Sequence, residues 1–222
     1  MNVVRRKEHK YIISYVDYLK IKSIIENILV HDKHGDEDSY PVNSIYFDDI
    51  VFNAASDKAF GNELHKKYRI RYYDDLTKIK FELKKKQAEQ TEKSSISLDN
   101  DTYRKLLDDE FIDIEKSNKL LNRFTLDKQL SNLEPKVFIS YQREAYRDEV
   151  DNVRITFDHS LEGGWFNEGD TIYNKLINDG FLILEIKYKY TLSNVIKEVI
   201  NKVKPNQIAY SKYFMGYQSL GI

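Results

Sequence analysis

Several short segments of this chain alternate, with a period of two, between apolar residues and a side that is mainly cationic, and only an extended strand sorts such a pattern onto two unlike faces. In Tyr68-Arg69-Ile70-Arg71-Tyr72 the arginines share one side and the tyrosines and isoleucine the other. The segment Ile79-Lys80-Phe81-Glu82-Leu83-Lys84 repeats the arrangement, as do Val153-Arg154-Ile155-Thr156-Phe157-Asp158 and Leu184-Glu185-Ile186-Lys187-Tyr188-Lys189. Near the start, Arg6, Glu8 and Lys10 fall together. A further strand over Lys136 to Ala145 is less regular, because Arg143 shares its side with Val137, Ile139 and Tyr141. With Val42 to Phe47 and the stretch Ser94 to Leu98, the count reaches about eight strands, near the upper end of common sheet sizes. Closing such a sheet into a barrel removes its exposed edges.

Helical periodicity interrupts the strands. Ser14 is placed to cap a helix whose stripe is Tyr18, Ile21, Ile25 and Ile28, with Asp17 completing a capping box. Ser193 caps a second, with Val195, Ile196, Val199, Ile200 and Val203 at helical spacing until Pro205. Shorter helices are expected over Asp99 to Leu107 and Ser117 to Leu130, and these stripes read as covers for the apolar side of the sheet. Trp165, after Gly163-Gly164, reads as a loop anchor packed on the core. The expected fold class is α+β: an antiparallel β-barrel tunnel of about eight strands with helices packed outside.

No composition shift suggests a linker, so residues 1–222 are read as a single domain. The formal net charge of −1 removes the global basicity of a general nucleic-acid binder. The tyrosines, moreover, alternate mostly onto the side away from the arginines, which spoils a stacking platform. No nucleic-acid partner is expected. With no cysteine, disulfides and thiolate metal sites are excluded and a reducing compartment is allowed, so a cytoplasmic location is expected. No stretch reaches the roughly 20 apolar residues of a membrane span, so direct membrane insertion is not expected. Walker-type, dinucleotide-binding and Gly-x-Ser-x-Gly motifs are missing, and His9, His31, His34, His65 and His159 match no zinc spacing. Acidic loops such as Asp36-Glu37-Asp38 and Asp108-Asp109-Glu110 read as solvated and offset the basic strands.

The charged faces admit a bland reading, the wet side of an antiparallel sheet. A sharper one follows from their balance: Arg6, Lys10, Arg69, Arg71, Lys80, Lys84, Arg154, Lys187 and Lys189 stand against only Glu8, Glu82, Asp158 and Glu185. Arginines at i and i+2 present two planar forks suited to phosphate oxygens. Crowded cations need a counter-charge, and a ligand with several phosphates supplies one. The interspersed glutamates either neutralise part of the field or hold a divalent cation, with Mg2+ or Mn2+ bridging carboxylate and phosphate.

The ordered segments Arg6-x-Glu8-x-Lys10-Tyr11, Ser44-Ile45-Tyr46-Phe47-Asp48, Lys67-Tyr68-Arg69-Ile70-Arg71-Tyr72, Phe81-Glu82-Leu83-Lys84, Tyr141-Gln142-Arg143, Val153 to Asp158, Leu184 to Tyr188 and Ser211-Lys212-Tyr213 together resemble the VTC domain. That is the polyphosphate polymerase domain of the vacuolar transporter chaperone family, within the CYTH-like triphosphate tunnel metalloenzymes. No one motif is specific; their order is. The resemblance implies phosphate-binding roles for Lys10, Arg69, Arg71, Lys84, Lys93, Arg143, Arg154 and Lys212, a hydroxyl from Ser211, and a metal-holding carboxylate at Glu185. Lys187 joins the phosphate set from its strand face, and Glu8 and Glu82 are further carboxylates for a metal. Arg6 stands where the hydrolase branch carries its first glutamate, which argues against a cyclase or thiamine-triphosphatase reading. The sequence also shows no SPX sensor ahead of the domain.

The implied activity is metal-dependent phosphoryl transfer from ATP to a polyphosphate chain, with Mn2+ or Mg2+ as cofactor and ATP and polyphosphate or another phosphate anion as partners. Lys10, Arg69, Arg71, Lys84, Arg143, Arg154 and Lys212 would carry catalysis by charge and position. Two alternatives stand beside it: a hydrolase of tripolyphosphate or nucleoside triphosphates, and a polyphosphate-binding module without turnover.

Overall fold

The alternating segments all form strands in the computed structural model, which describes residues 7–32, 38–56, 64–73, 75–87, 90–110, 118–148, 152–167, 173–208 and 211–221. In chain order the elements are β1 (Lys7–Ser14), α1 (Tyr15–Ile25), β2 (Val30–His31), β3 (Tyr40–Asp48), α2 (Asn53–Ser56), β4 (Leu64–Tyr73), β5 (Asp75–Gln87) and β6 (Gln90–Leu98). There follow α3 (Asn100–Leu107), α4 (Lys119–Ser131), β7 (Glu134–Asp148), β8 (Val153–Trp165), β9 (Asn174–Lys175), β10 (Phe181–Tyr188), α5 (Asn194–Val203), β11 (Asn206–Gln207) and α6 (Lys212–Gln218). Since β2, β9 and β11 hold two residues each, the long strands number eight among the described residues, as expected. Arg6, His34, Asp36, Glu37 and Ser117 lie outside the described residues.

The chain divides into two compact units, each assembled from three segments. One comprises Met1–Pro41, Tyr141–Leu161 and Ile177–Ala209; the other comprises Val42–Ser140, Glu162–Leu176 and Tyr210–Ile222.

In the first unit the strand order is β11-β1-β10-β8-β7, with β2 also on β7. The pairs β1·β10 and β10·β8 are antiparallel, and they align Lys10 with Glu185 and Glu185 with Thr156. Because side chains alternate, Leu184, Ile186, Ile155 and Phe157 turn to the opposite side and are buried with Ile21 and Ile25 of α1 and Ile196 and Val199 of α5. Burying one such side chain contributes about 1.5–3 kcal/mol. Ser14 caps α1, its Oγ accepting from the Asp17 amide at 3.1 Å and donating to Asp17 Oδ2 at 2.8 Å. Ser193 caps α5 by accepting from the Ile196 amide. Two stripe positions differ from expectation. Ile28 lies past the end of α1 and is exposed, while Leu29 is buried instead; Val195 faces solvent in the first turn of α5.

In the second unit β3, β4, β5 and β6 are neighbours in chain order, β7 lies beside β3, and β9 pairs with β8. Tyr68, Ile70, Phe81 and Leu83 share the side covered by Leu106 of α3 and Leu120, Leu121 and Phe124 of α4. Both helices begin at side-chain caps, Asp99 on the Thr102 amide and Asn118 on the Leu120 amide. Helix α6 seats Gly216 so close to β7 that a Cβ there would meet Ile139 Cδ1 at 2.3 Å and Val137 Cγ1 at 3.0 Å. Trp165 is not a core anchor: it ends β8, remains 44% exposed and meets only the edge of Phe52 among described rings. Among the described residues the strand order of each unit has two ends, so neither unit by itself closes into a barrel. No helix among them is long and apolar enough to cross a membrane.

Candidate functional site

Each unit presents a charged strand face, backed on its other side by the apolar clusters just described. In the second unit the register sets the face out in rows: Ser44 beside Arg71 and Lys80, Tyr46 beside Arg69 and Glu82, and Lys67 beside Lys84 and Lys93. Like charges directly opposite one another are destabilising. The row Lys67, Lys84 and Lys93 sets three lysines on neighbouring strands side by side.

Glu82 is the carboxylate that meets Arg69 on this face, and it is 4% exposed. Arg69 Nε and Nη2 reach its Oε2 at 2.7 and 2.6 Å, and Lys93 reaches Oε1 at 2.5 Å. Both oxygens are thus engaged by cations, which suits charge balance better than metal coordination. Burial opposes the Glu82 charge, but Arg69 and Arg71, with Lys93, outweigh it and hold the carboxyl at about 2. A group held below its unfolded value contributes stability that is full above that value, near 4.5, and is lost as pH falls toward about 2. At about 1.4 kcal/mol per unit this amounts to about 3 kcal/mol. Acid unfolding followed by urea titration between pH 5 and about 2 is expected to show wild type losing that much more stability than Glu82→Gln; equal losses would refute the assignment.

Arg69 is held from a second direction. Its Nη1 donates to the Tyr46 hydroxyl at 3.0 Å, and the Tyr46 ring stacks on Tyr213 with centroids 4.4 Å apart at 11°. Tyr213 donates to Asp48, whose carboxylate also accepts the amides of Ala54 and Ala55 at 2.9 Å each. Burial pushes both Asp48 and Tyr213 up, so Tyr213 stays a donor. Burial alone would raise the Tyr46 hydroxyl too, yet Arg69, Arg71 and Lys212 bring it below its ordinary value. The chain Asp48, Tyr213, Tyr46, Arg69 therefore fixes the guanidinium, and the same Tyr213 anchors the first turn of α6, which carries Lys212. Ser211 is the N-cap of α6, its Oγ accepting from the Phe214 amide at 3.3 Å, so its structural role is plain while its proton stays available to donate. Arg71 Nε lies 3.4 Å from Ser44 Oγ, and Lys84 is exposed.

In the first unit two carboxylates and two lysines interleave. Glu185, 5% exposed, meets Lys187 at 2.5 Å and Lys10 at 3.4 Å; Glu8 pairs with Lys10 and lies 3.9 Å from Lys187. Burial works against the Lys10 ammonium, but Glu185 and Glu8 outweigh it and raise it above its usual value. Arg143 is bound bidentately by the fully buried Asp158, Nε to Oδ1 at 2.6 Å and Nη2 to Oδ2 at 2.7 Å. A phosphate can meet only the opposite edge of that guanidinium. Arg154 Nη2 pairs with Asp32 Oδ2 at 2.8 Å and approaches the Tyr40 hydroxyl at 3.3 Å. Lys189 lies beyond the end of β10, over the Tyr190 ring.

Within the first unit, then, Lys10, Arg143, Arg154, Lys187, Glu8 and Glu185 belong to one face; within the second, Arg69, Arg71, Lys84, Lys93 and Glu82 share a face, with Lys212 and Ser211 at the start of α6. Tyr46, Asp48, Lys67 and Thr156 are further members that periodicity did not single out. Tyr46 was findable as the aromatic residue on the polar side of Ser44-Ile45-Tyr46. Among the described residues no group of three or more His, Asp or Glu side chains is arranged to hold a metal. Mg2+ and Mn2+ nonetheless suit a site of one or two carboxylates completed by water and phosphate. Glu185 and Glu8 are each already ion-paired to a lysine, so they would supply such carboxylates only where Lys187 and Lys10 turn to a phosphate.

The fold is shared with several solved structures. A candidate adenylate cyclase from Bacillus halodurans superposes with a TM-score of 0.56 at 15% identity, covering 93% of this chain and 95% of that one. A candidate adenylyl cyclase from Hippeastrum, described as having a dominant triphosphatase activity, gives 0.56 at 15% identity over 96% and 97%. The PH1819 protein of Pyrococcus horikoshii gives 0.51 at 14% identity over 97% and 99%. No curated protein matches the sequence. The family model of the VTC domain matches residues 5–221, and the chain belongs to that family.

Proposed function

We propose that this VTC domain transfers a phosphoryl group from ATP to the end of a polyphosphate chain, releasing ADP. The observation that carries the reading is the segregation of charge: in a protein of net charge −1, the face of the second unit sets Arg69, Arg71, Lys67, Lys80, Lys84 and Lys93 against the carboxylates Glu82 and Asp48. Membership of the VTC family supports it.

A terminal oxygen of the acceptor attacks the γ-phosphorus, the bond to the β-phosphate oxygen breaks, and ADP leaves with the electron pair. The attacking atom comes from the substrate, so no protein nucleophile is needed. Arg69, Arg71, Lys84, Lys93 and Lys212, and in the first unit Lys10, Arg143, Arg154 and Lys187, neutralise phosphate oxygens, with Ser211 donating a hydroxyl bond. Glu185, with Glu8, would hold Mn2+ or Mg2+, which supplies positive charge to the phosphate oxygens when bound.

The test is product analysis with ATP and Mn2+ or Mg2+. Long chains appearing with ADP are the expected result. Orthophosphate without chains would replace the transferase by a triphosphate hydrolase, the reading favoured by the activity described for the Hippeastrum protein. Tight binding with no loss of ATP would make the domain a polyphosphate-binding module.

A further inference from the structure

Tyr46 departs from the sorting of its neighbours: Tyr68, Ile70 and Tyr72 turn to the apolar side of the sheet, whereas Tyr46 stands opposite Arg69 on the cationic one. Only 7% of it is exposed. Its ring is seated by the stack on Tyr213, a contact that phenylalanine would make equally well, so the hydroxyl needs a reason of its own. A phenolic oxygen both accepts and donates. This one accepts from Arg69 Nη1 at 3.0 Å, and among the described residues its own proton meets no acceptor. The two carboxylates of this face are already committed, Glu82 to Arg69 and Lys93, and Asp48 to Tyr213 and the amides of Asp49, Ala54 and Ala55. The charges that weigh most on the hydroxyl are cations, since Arg69, Arg71 and Lys212 hold it below its ordinary value against the effect of burial. A buried donor among cations is suited to an anion, and a phosphate oxygen is the acceptor such a place lacks.

We propose that Tyr46 Oη donates its proton to an oxygen of a phosphate group held by Arg69, Arg71 and Lys212, an assignment that deepens the proposed function and rests on the phosphate-binding face described there. Tyr46 then touches the substrate as well as holding Arg69. It accepts from the guanidinium and donates to the anion that the guanidinium binds, so each hydrogen bond polarises the next.

The experiment measures binding of inorganic tripolyphosphate to the full chain by titration calorimetry in metal-free buffer. Wild type, Tyr46→Phe, Arg69→Ala and the double variant are compared, with melting curves to confirm that each is folded. Phenylalanine keeps the stack on Tyr213 and removes only the hydroxyl. Tyr46→Phe is expected to weaken binding about tenfold, the scale of one hydrogen bond to a charged group. A residue that acted only by holding Arg69 would lose its effect once Arg69 is gone. In the Arg69→Ala background, therefore, Tyr46→Phe is expected to weaken binding by at least about threefold more. No further loss in that background, or wild-type affinity in Tyr46→Phe alone, overturns the proposal. Wild type that binds no tripolyphosphate overturns instead the phosphate-binding face on which it rests.

Discussion

Replacing Arg69 by alanine is expected to lower turnover with ATP and Mn2+ by roughly 10²–10³-fold, the scale set by removing one fixed donor from a developing negative charge. Arg69 is held at its guanidinium by Glu82 on one side and by Tyr46 on the other, so it is pre-organised and loses little freedom when phosphate arrives. For that reason Arg69→Lys should recover only a small part of the activity: a lysine supplies charge but neither the fork nor the contact with Tyr46. The loss should fall on kcat more than on KM, since the remaining cations still bind the ground state. Glu185→Ala is expected to show a loss of similar size through the cation. Steady-state kinetics on the purified variants, with melting curves to confirm that each is folded, decide the matter. Unchanged turnover in both variants would remove the mechanism.

The strand faces were legible because period two is a property of the residues themselves: Arg69 and Arg71 could not lie on the side of Tyr68 and Ile70 in any strand. Arg143 was not legible by that route, and the reason lies in β7. Its side carrying Val137 and Ile139 packs against Gly216 of α6, so the same side is apolar early and charged later. Lys212 escaped for a related reason. The seven-residue α6 has no stripe of its own, and its place is set by the buried Tyr213 on Asp48 and by the close approach of Gly216. Thr156 is an ordinary strand residue in the sequence; only the register puts it opposite Glu185. Each compact unit is built from three separated segments of the chain, an arrangement that no shift in composition marks.

Asp158 separates what Arg143 does for stability from what it does for phosphate. The carboxylate is 0% exposed and takes both nitrogens of one guanidinium edge. Arginine stays charged at any accessible pH, so Asp158→Asn leaves a buried cation without its counter-ion. Breaking such a pair from one side costs about 3–5 kcal/mol, a large fraction of the roughly 5–15 kcal/mol that keeps a domain folded. Urea unfolding is expected to show that loss. The double substitution Asp158→Leu with Arg143→Met should regain most of it, because a buried ion pair exchanged for apolar side chains of similar volume is often neutral or better. Turnover should not return with the stability, since the cation that meets phosphate is gone. A single variant that loses less than about 1 kcal/mol would show that the pair is not the buried, mutually dependent unit its geometry describes. A double variant as active as wild type would strike Arg143 from the phosphate-binding residues and leave it a purely structural partner of Asp158.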